Sequence, residues 1–493
     1  MGTKTANHYA AITSNDVGVD GRLFVGIKPT GIYCRPICHK HTPKLEDCAF
    51  YFHAAAAEKA GFSPCLICRP ELAPGDAKVN AKSKLARLVL RRIEDGALNA
   101  KTIESLASEF GVYAGDIRRA TVQEFGLTPV EIARTQNLLY AKQLLTETDF
   151  SVSDIAEVTG FGDEPGLVRQ FRSNYRLSPS ALRRNISSSL ERLAPTSFPE
   201  TISFRVDYRP PLPWKTLLMF LGDRAMPGVE AVHEDTYLRT VQVGSSAGWI
   251  AVTPLGCSEH SSPINALRVV MSDTLRPVCV TVLTRIKTLF DTRANTVEID
   301  AHLITDPLLT ESIKNHCGMR LPGAYDSFEL LLRAILGQQV SVKGATTLAG
   351  RMVQTFGKPI CTPWPKLTRL SPDVRRIVGA TVDQVAGIGM PKKRAEAIRT
   401  VAKAVLTGDL ALVPGGDPDI VRDQLLEFPG IGEWTASYVA MRVLAWPDAF
   451  PIGDLGLKKI LNMTRPSDIL ARTNAWKPWR AYAAIYLWLS LSG

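Results

Sequence analysis

The chain lacks any uninterrupted apolar run of the ~18 residues that a membrane-crossing helix needs, and no apolar stretch follows a basic N-terminus. Both absences lead to the expectation of a protein that is neither exported nor in contact with a membrane. Acidic residues run short: 48 Asp and Glu face 58 Lys and Arg, for a formal net charge of +10. A surface built to attract basic partners is disfavoured, and the balance points to a polyanion. Cysteine is missing from most of the chain. Of 9 in all, those between Cys34 and Cys68 cluster, while Cys257, Cys279, Cys317 and Cys361 stand apart. An odd number of thiols without an export signal argues against a disulfide framework and for metal ligation.

What is present is ordinary globular material. Hydrophobic residues make up 45% of 493 residues, and that length suggests about three or four domains. Four textures follow one another. Residues 1–76 are rich in Cys, His, Pro and Gly, with a strand-like Leu23–Ile27 and a helix near Ala54–Ala60, and end at a Pro74-Gly75 linker. Residues 80–186 repeat apolar positions such as Leu85, Leu88, Val89 and Ile93 at helical spacing. A Ser-rich stretch from Ser187 to Pro199 is the clearest linker. Residues 200–290 alternate apolar and polar positions in Tyr237–Val243 and Leu267–Met271, around a helix Trp214–Gly222. Residues 300–493 are helical between Gly/Pro turns and end in a Trp-rich helix Trp476–Leu491.

The pairs Cys34-x-x-x-Cys38 and Cys65-x-x-Cys68 supply four soft donors at a spacing that suits one tetrahedral Zn²⁺. Spacing alone leaves open whether such a zinc is purely structural or also activates a thiolate. The runs Phe24-Val-Gly-Ile-Lys-Pro-Thr-Gly-Ile-Tyr-Cys-Arg-Pro-Ile-Cys38 and Ala60-Gly-Phe-Ser-Pro-Cys-Leu-Ile-Cys-Arg-Pro70 resemble the N-terminal domain of the Ada alkylation-response regulators. That resemblance implies that Cys34 accepts a methyl group, stoichiometrically, from a methyl phosphotriester in DNA. Zinc would keep its thiolate available at neutral pH, and methylation would convert a charged ligand to a thioether. Ser63, Leu66-Ile67 and His41 depart from the more basic residues of that family.

Two helix-turn-helix units are legible in the next segment. One runs from Thr102 to Val112 and on through Asp116–Phe125; the other runs from Val152 to Phe161 and on through Glu164–Tyr175. The intervening helix Val130–Thr146 and the run Leu177-Ser-Pro-Ser-Ala-Leu-Arg-Arg184 resemble AraC-type regulators. The resemblance implies DNA contacts from Arg118, Arg119, Arg169 and Arg172. A scaffold that no longer reads sequence stays open as an alternative, because Asp163 and Glu164 put carboxylates at the head of the second recognition helix.

The motif Phe428-Pro-Gly-Ile-Gly-Glu-Trp-Thr-Ala436 places a tight turn before a helix N-terminus, where backbone N–H groups can hold a phosphate. Gly430 and Gly432 let the DNA backbone come close. Asp454 in Phe450-Pro-Ile-Gly-Asp-Leu-Gly-Leu-Lys458 stands at the entry of the next helix, as a cap or as a catalytic carboxylate. With Arg209-Pro-Pro-Leu-Pro-Trp214, Arg333-Ala-Ile-Leu-Gly-Gln-Gln-Val-Ser341, Gly389-Met-Pro-Lys-Lys-Arg-Ala-Glu396 and Trp476-Lys-Pro-Trp-Arg-Ala-Tyr482, these motifs resemble the AlkA-type 3-methyladenine glycosylases of the helix-hairpin-helix superfamily.

The resemblance implies that Asp454 is catalytic and that Trp434, Tyr438 and Trp488 stack on a flipped base. It also sets Gln339 at the position that wedges into the duplex, and it allows a monovalent cation on hairpin carbonyls. Bifunctional members carry a lysine in the hairpin. Trp434 stands there, so base excision without strand cleavage is expected. No Pro-Cys-His-Arg run occurs, and direct reversal of O6-alkylguanine is not expected.

The fold class expected is multidomain α+β. It comprises a small Cys₄ zinc domain (1–76), an all-α double helix-turn-helix domain (80–186), a small β/α domain (200–290) and an all-α helix-hairpin-helix domain (300–493). The chain reads as a monomeric, cytoplasmic, nucleoid-associated repair protein acting on double-stranded DNA with alkylation damage. The alternative is a methylation-sensing transcriptional regulator whose glycosylase domain is idle.

Overall fold

The computed structural model describes residues 2–39, 43–74, 84–94, 96–100, 102–186, 198–256, 264–413 and 416–491. His41, Cys257, Gly75 and most of the 187–199 linker lie outside these residues. The chain divides into two compact units: Met1–Pro210 with Leu255–Thr284 and Thr292–Asn295, and Pro211–Pro254 with Arg285–Asp291 and Thr296–Gly493.

The first unit opens on a helix, Gly2–Thr13, that the sequence reading did not contain. Its signal is weak because Ile12 is its one hydrophobic residue in the core. A four-stranded sheet follows, ordered Cys48–Tyr51, Phe24–Ile27, Ile32–Cys34, Ser63–Pro64. The first three strands pair antiparallel and the last pairs parallel. A side chain at Gly26 would lie 2.9 Å from the Phe62 ring, so glycine lets that ring cover the strand.

The two helix-turn-helix units form as expected: Ile103–Glu109 with Ala114–Phe125, and Val152–Val158 with Glu164–Tyr175. Their turns pass through Gly111 and Gly160, both with positive φ. Between them, Pro129–Glu147 starts from a capping box of Thr128 and Glu131, with proline at its first position. This helix has no single apolar face, because every residue from Leu138 to Thr146 is buried.

Burying charged side chains requires partners, and the first unit supplies them. Lys142 pairs with Glu71 and donates to the Cys65 carbonyl at 3.3 Å. Arg69 donates to Thr146 and Glu147, both at 2.8 Å. Gln143 donates to the carbonyl of Arg205 at 3.1 Å. Arg205 lies in Thr201–Asp207, which pairs antiparallel with Ala266–Ser272. Arg35, 3% exposed, pairs with Asp20 and, at 2.9 Å, with Asp207.

The second unit begins with the helix Trp214–Asp223 and an antiparallel meander of Glu230–His233, Thr236–Val243 and Ser246–Pro254. Arg239 leaves the middle strand, lies 4.0 Å from the Tyr325 ring and bonds Glu329 at 2.9 Å, which fastens the meander to the helix Ser327–Leu336. The rest is helical. The expected helix Trp476–Leu491 starts only at Arg480. The correction is physical: a residue before proline is pushed to extended backbone, and Lys477 before Pro478 has ψ 141°. Trp476 and Trp479 are both buried.

Glu58 gives the first unit a pH dependence. Burial pushes its carboxyl up to about 7, opposed by hydrogen bonds from Tyr33, Asn174, Thr135 and Tyr175. A raised carboxyl makes the folded state hold the extra proton, so its stabilisation is complete below about pH 4.5 and is lost as pH rises to about 7. Glu58→Gln should remove a slope of roughly 3 kcal/mol, read as hydrogen-exchange protection of Ile32–Cys34 between about pH 5 and 7.5 after correction for intrinsic rates. Parallel pH curves for the two proteins would exclude Glu58 as the titrating group.

Candidate active site and metal centre

Asp454 precedes the helix Leu455–Leu461 and caps it, its Oδ1 accepting from the Leu457 N–H at 3.0 Å. Two indoles reach the same carboxylate. Trp488 Nε1 donates to Oδ1 at 3.1 Å and Trp434 Nε1 donates to Oδ2 at 3.0 Å. Each carboxylate oxygen has about two acceptor directions, so Oδ2 keeps one beyond its indole. Cap and reactive carboxylate are therefore compatible, and Asp454 remains half-buried. The extended approach through Gly453 lets Trp434 in, since a side chain at 453 would lie 3.2 Å from Trp434 Cβ.

Trp434 and Tyr438 sit one turn apart on the helix Glu433–Arg442 and stack with centroids 5.2 Å apart and planes 11° apart. Trp488 tilts 54° to Tyr438 at 6.2 Å. The three aromatics named from the sequence thus converge on Asp454. A ring cannot enter between Trp434 and Tyr438 as they stand, so their outer faces are the ones a base could use. Arg442 was missed from the sequence. It is buried, bonds the carbonyls of Pro322 and Gly323, and donates to the Tyr438 hydroxyl at 2.8 Å. No signal marked it, because an arginine at the end of a helix reads as a surface charge.

The hairpin joins Pro418–Leu426 to Glu433–Arg442. Gly430 has φ 86°, and a side chain there would lie 3.1 Å from Ala397 Cβ. Gly432 occupies the N-cap without a side-chain cap, so the first-turn N–H groups keep their donors for a ligand. Glu433 at the helix start is paired with Arg422 at 2.8 Å. Gln339 is exposed with φ 56° in the turn before Val342–Phe356.

The helix-turn-helix arginines lie on two helices. Arg118 and Arg119 are exposed on Ala114–Phe125, near Glu104 at 3.7 Å and paired with Asp116 respectively. Arg169 and Arg172 are exposed on Glu164–Tyr175, whose head is capped by Asp163 through the Gly166 N–H at 2.7 Å.

Cys34, Cys38, Cys65 and Cys68 bring their Sγ atoms within 4.8 Å of one another. Cys48 stays out, its thiol turned to the Lys44 carbonyl at 3.2 Å. The Cys34 thiol is pushed up, first by its hydrogen bonds to Cys38 and Cys65, while Cys65 is pushed down, first by hydrogen bonds with Cys34, then Cys38 and Cys68. Four thiolates this close would repel one another, and a cation among them would relieve that repulsion. The donor set fits a four-coordinate soft-ligand metal.

The two hairpin glycines should separate by substitution. Gly430→Ala puts a β-carbon at positive φ, costing about 1–2 kcal/mol beyond its contact with Ala397. Gly432→Ala meets open space at φ −107° and loses only N-cap preference, under about 1 kcal/mol. All eight tryptophans lie in the second unit, so urea unfolding followed by tryptophan emission reads both variants; equal destabilisation would refute this account of the turn.

Comparison with known proteins places these features in a family. Residues 7–71 match the metal binding domain of Ada, 106–185 a helix-turn-helix domain, 203–326 the AlkA N-terminal domain, and 332–480 the HhH-GPD superfamily of base excision DNA repair proteins. A probable bifunctional transcriptional activator/DNA repair enzyme AlkA of Mycobacterium tuberculosis is 33% identical over 98% of this chain and 96% of its own length. DNA-3-methyladenine glycosylase 2 of Escherichia coli is 34% identical over 58% of this chain and 96% of its own length. The bifunctional transcriptional activator/DNA repair enzyme AdaA of Bacillus subtilis is 28% identical over 36% of this chain and 83% of its own length.

Among solved structures, a 3-methyladenine DNA-glycosylase from Archaeoglobus fulgidus superposes with a TM-score of 0.50 at 21% identity, covering 58% of this chain and 97% of that one, which shows the shared fold. With its Ada-type, helix-turn-helix, AlkA-type and helix-hairpin-helix segments in one order and its near full-length likeness to the mycobacterial protein, this chain belongs to the family of AlkA-type bifunctional transcriptional activator/DNA repair enzymes.

Proposed function

We propose that the C-terminal half is a monofunctional DNA glycosylase that hydrolyses the N-glycosidic bond of alkylated bases of the 3-methyladenine and 7-methylguanine type in double-stranded DNA. The observation that carries this reading is the carboxylate of Asp454, held by two indole N–H groups and a helix N–H beside three aromatic rings. As the base departs, positive charge develops at C1′ of the sugar. A fixed carboxylate stabilises that charge and orients the attacking water. N-alkylated purines already carry positive charge, so the leaving group needs no strong acid. The outer faces of Trp434, Tyr438 and Trp488 suit a flipped, electron-poor base.

Strand cleavage needs an amine at C1′, and the hairpin offers Trp434 in its place. Lys458 and Lys459 lie on Leu455–Leu461 beyond Asp454, where phosphate is the natural partner. Gly430 and Gly432 shape the phosphate-holding turn and Gln339 fills the gap left by the base. A monovalent cation on the hairpin would have to use spare lone pairs, because the carbonyl of Gly430 already accepts from Gln338 and that of Phe428 from Ile431.

In the N-terminal half, Cys34, Cys38, Cys65 and Cys68 would hold one Zn²⁺, which would support a thiolate at neutral pH. Cys34 Sγ then attacks the methyl carbon of a phosphotriester. The C–O bond breaks, the phosphodiester leaves as its anion and a thioether remains, once per molecule. Arg118, Arg119, Arg169 and Arg172 contact DNA in the role of a regulator. The protein acts as a monomer in the cytoplasm, associated with the nucleoid.

On dimethyl-sulfate-treated duplex DNA the intact protein should release methylpurines and leave abasic sites without breaks. Asp454→Asn should lower release at least ~10²-fold, and Trp488→Phe, which keeps a ring and removes one N–H donor, by a smaller factor. No release from folded intact protein would overturn the reading and leave methyl transfer at Cys34 as the function. Cys65→Ser should abolish bound zinc, measured by elemental analysis, while release persists, because Asp454 and its partners all lie in the second unit. Loss of both together would refute this independence.

A further inference from the structure

The second unit contains two Gly-Ile-Gly turns. Gly387-Ile388-Gly389 precedes the helix Lys392–Thr407, and Gly430-Ile431-Gly432 precedes Glu433–Arg442. Gln338, which the mechanism above does not use, joins the region around both. Its side-chain amide donates to the Gly430 carbonyl at 3.0 Å and to Thr435 Oγ1 at 3.0 Å. Its own carbonyl accepts from Arg394 Nη2 at 2.8 Å, and Arg394 stands in the first turn of the helix after the other Gly-Ile-Gly. An amide nitrogen has two protons, so both of its donors are engaged.

The next residue is Gln339, exposed with φ 56°, followed by Val340, which is 41% exposed. One side chain therefore pins the base of a protruding polar-apolar tip to the hairpin. The backbone of the same residue is pinned to a separate helix. Leaving a turn residue in the left-handed region is unfavourable for glutamine unless its surroundings hold it there, and Gln338 and Arg394 supply that hold.

We propose that Gln338 is a positioning residue that fixes the distance between the phosphate-holding hairpin and the Gln339-Val340 tip, with Arg394 as its backstop. This rests on the base-excision reading given above. Extruding a paired base costs unstacking and unpairing energy, and a side chain that fills the gap while the backbone is held offsets part of it, so the tip must stand at a set distance from the hairpin. The role ends where the base is already unpaired, because no gap then needs filling.

That difference gives the test. Single-turnover excision of one 7-methylguanine is measured with the full chain, once with the lesion paired in a duplex and once in an unpaired loop of the same sequence. Gln338→Glu keeps the length of the side chain but cannot donate to the Gly430 carbonyl at neutral pH. It should slow excision from the paired substrate at least about tenfold and from the loop less than about threefold.

Arg394→Met, which leaves the Gln338 amide in place, should shift the same ratio in the same direction and covers the case in which the first variant does not fold. Equal slowing on both substrates would make Gln338 merely structural and overturn the proposal, as would no slowing on either. Wild-type protein that releases nothing from either substrate would overturn the base-excision reading, and this one with it.

Discussion

A carboxylate at the mouth of a helix is held by whatever donors the fold can bring to it, and the second unit is organised around one such group. Asp454 satisfies the first turn of Leu455–Leu461 and receives indole N–H groups from two other helices, Glu433–Arg442 and Arg480–Ser490. These three bonds set where the aromatic rings stand. Trp434 must face Asp454, which places Tyr438 one turn later against it. Trp488 closes the group from the C-terminal helix. An anion so fixed costs little to reorganise when positive charge develops beside it. The capping role and the proposed chemical role call for the same thing, a carboxylate that does not move.

The first unit solves a different problem with the same chemistry. Its sheet is small and the C-terminal half of its long helix is buried on all sides, so charged residues there are trapped and must be paired. Arg35 follows Cys34 in the motif and directs its guanidinium to Asp20, Asp207 and the Cys68 carbonyl. Lys142 spends its ammonium on Glu71 and the Cys65 carbonyl. Two cations thus brace the backbone that carries the thiols, and the strand Thr201–Asp207 is joined to the same unit through Asp207 and Arg205. Replacing one partner of such a pair leaves a buried charge uncompensated, which is more damaging than never having had the pair.

Much of this was legible in the sequence. Helix boundaries marked by local chemistry came within a residue or two, as at Thr128-Pro129 with Glu131, or at Asp163 before Glu164–Tyr175. The two cysteine pairs and the Gly-Ile-Gly hairpin could be placed because their chemistry depends on spacing of a few residues. Gly2–Thr13 has almost no apolar stripe to mark it, and the helix expected over Trp476–Leu491 is shorter because Pro478 holds Lys477 in extended backbone. Arg442 carries no local signal, and Gln338 stands in a family motif that does not tell its contacts. Their partners are carbonyls and two hydroxyls, as far as 120 residues away.

The sequence by itself determined what depends on neighbours along the chain: caps, turns, the choice of metal donors, the missing amine in the hairpin and the resemblance that orders the segments. The tertiary structure alone decided which arginines are buried struts and which are exposed, that the cap of Asp454 leaves an oxygen for chemistry, and that Trp434 already has Tyr438 stacked on one face. The reason is physical. Local motifs are fixed by bonds that close over three or four residues, whereas burial, stacking and long-range hydrogen bonds exist only once separate helices have packed, and no pattern along the chain records which polar group will find which carbonyl.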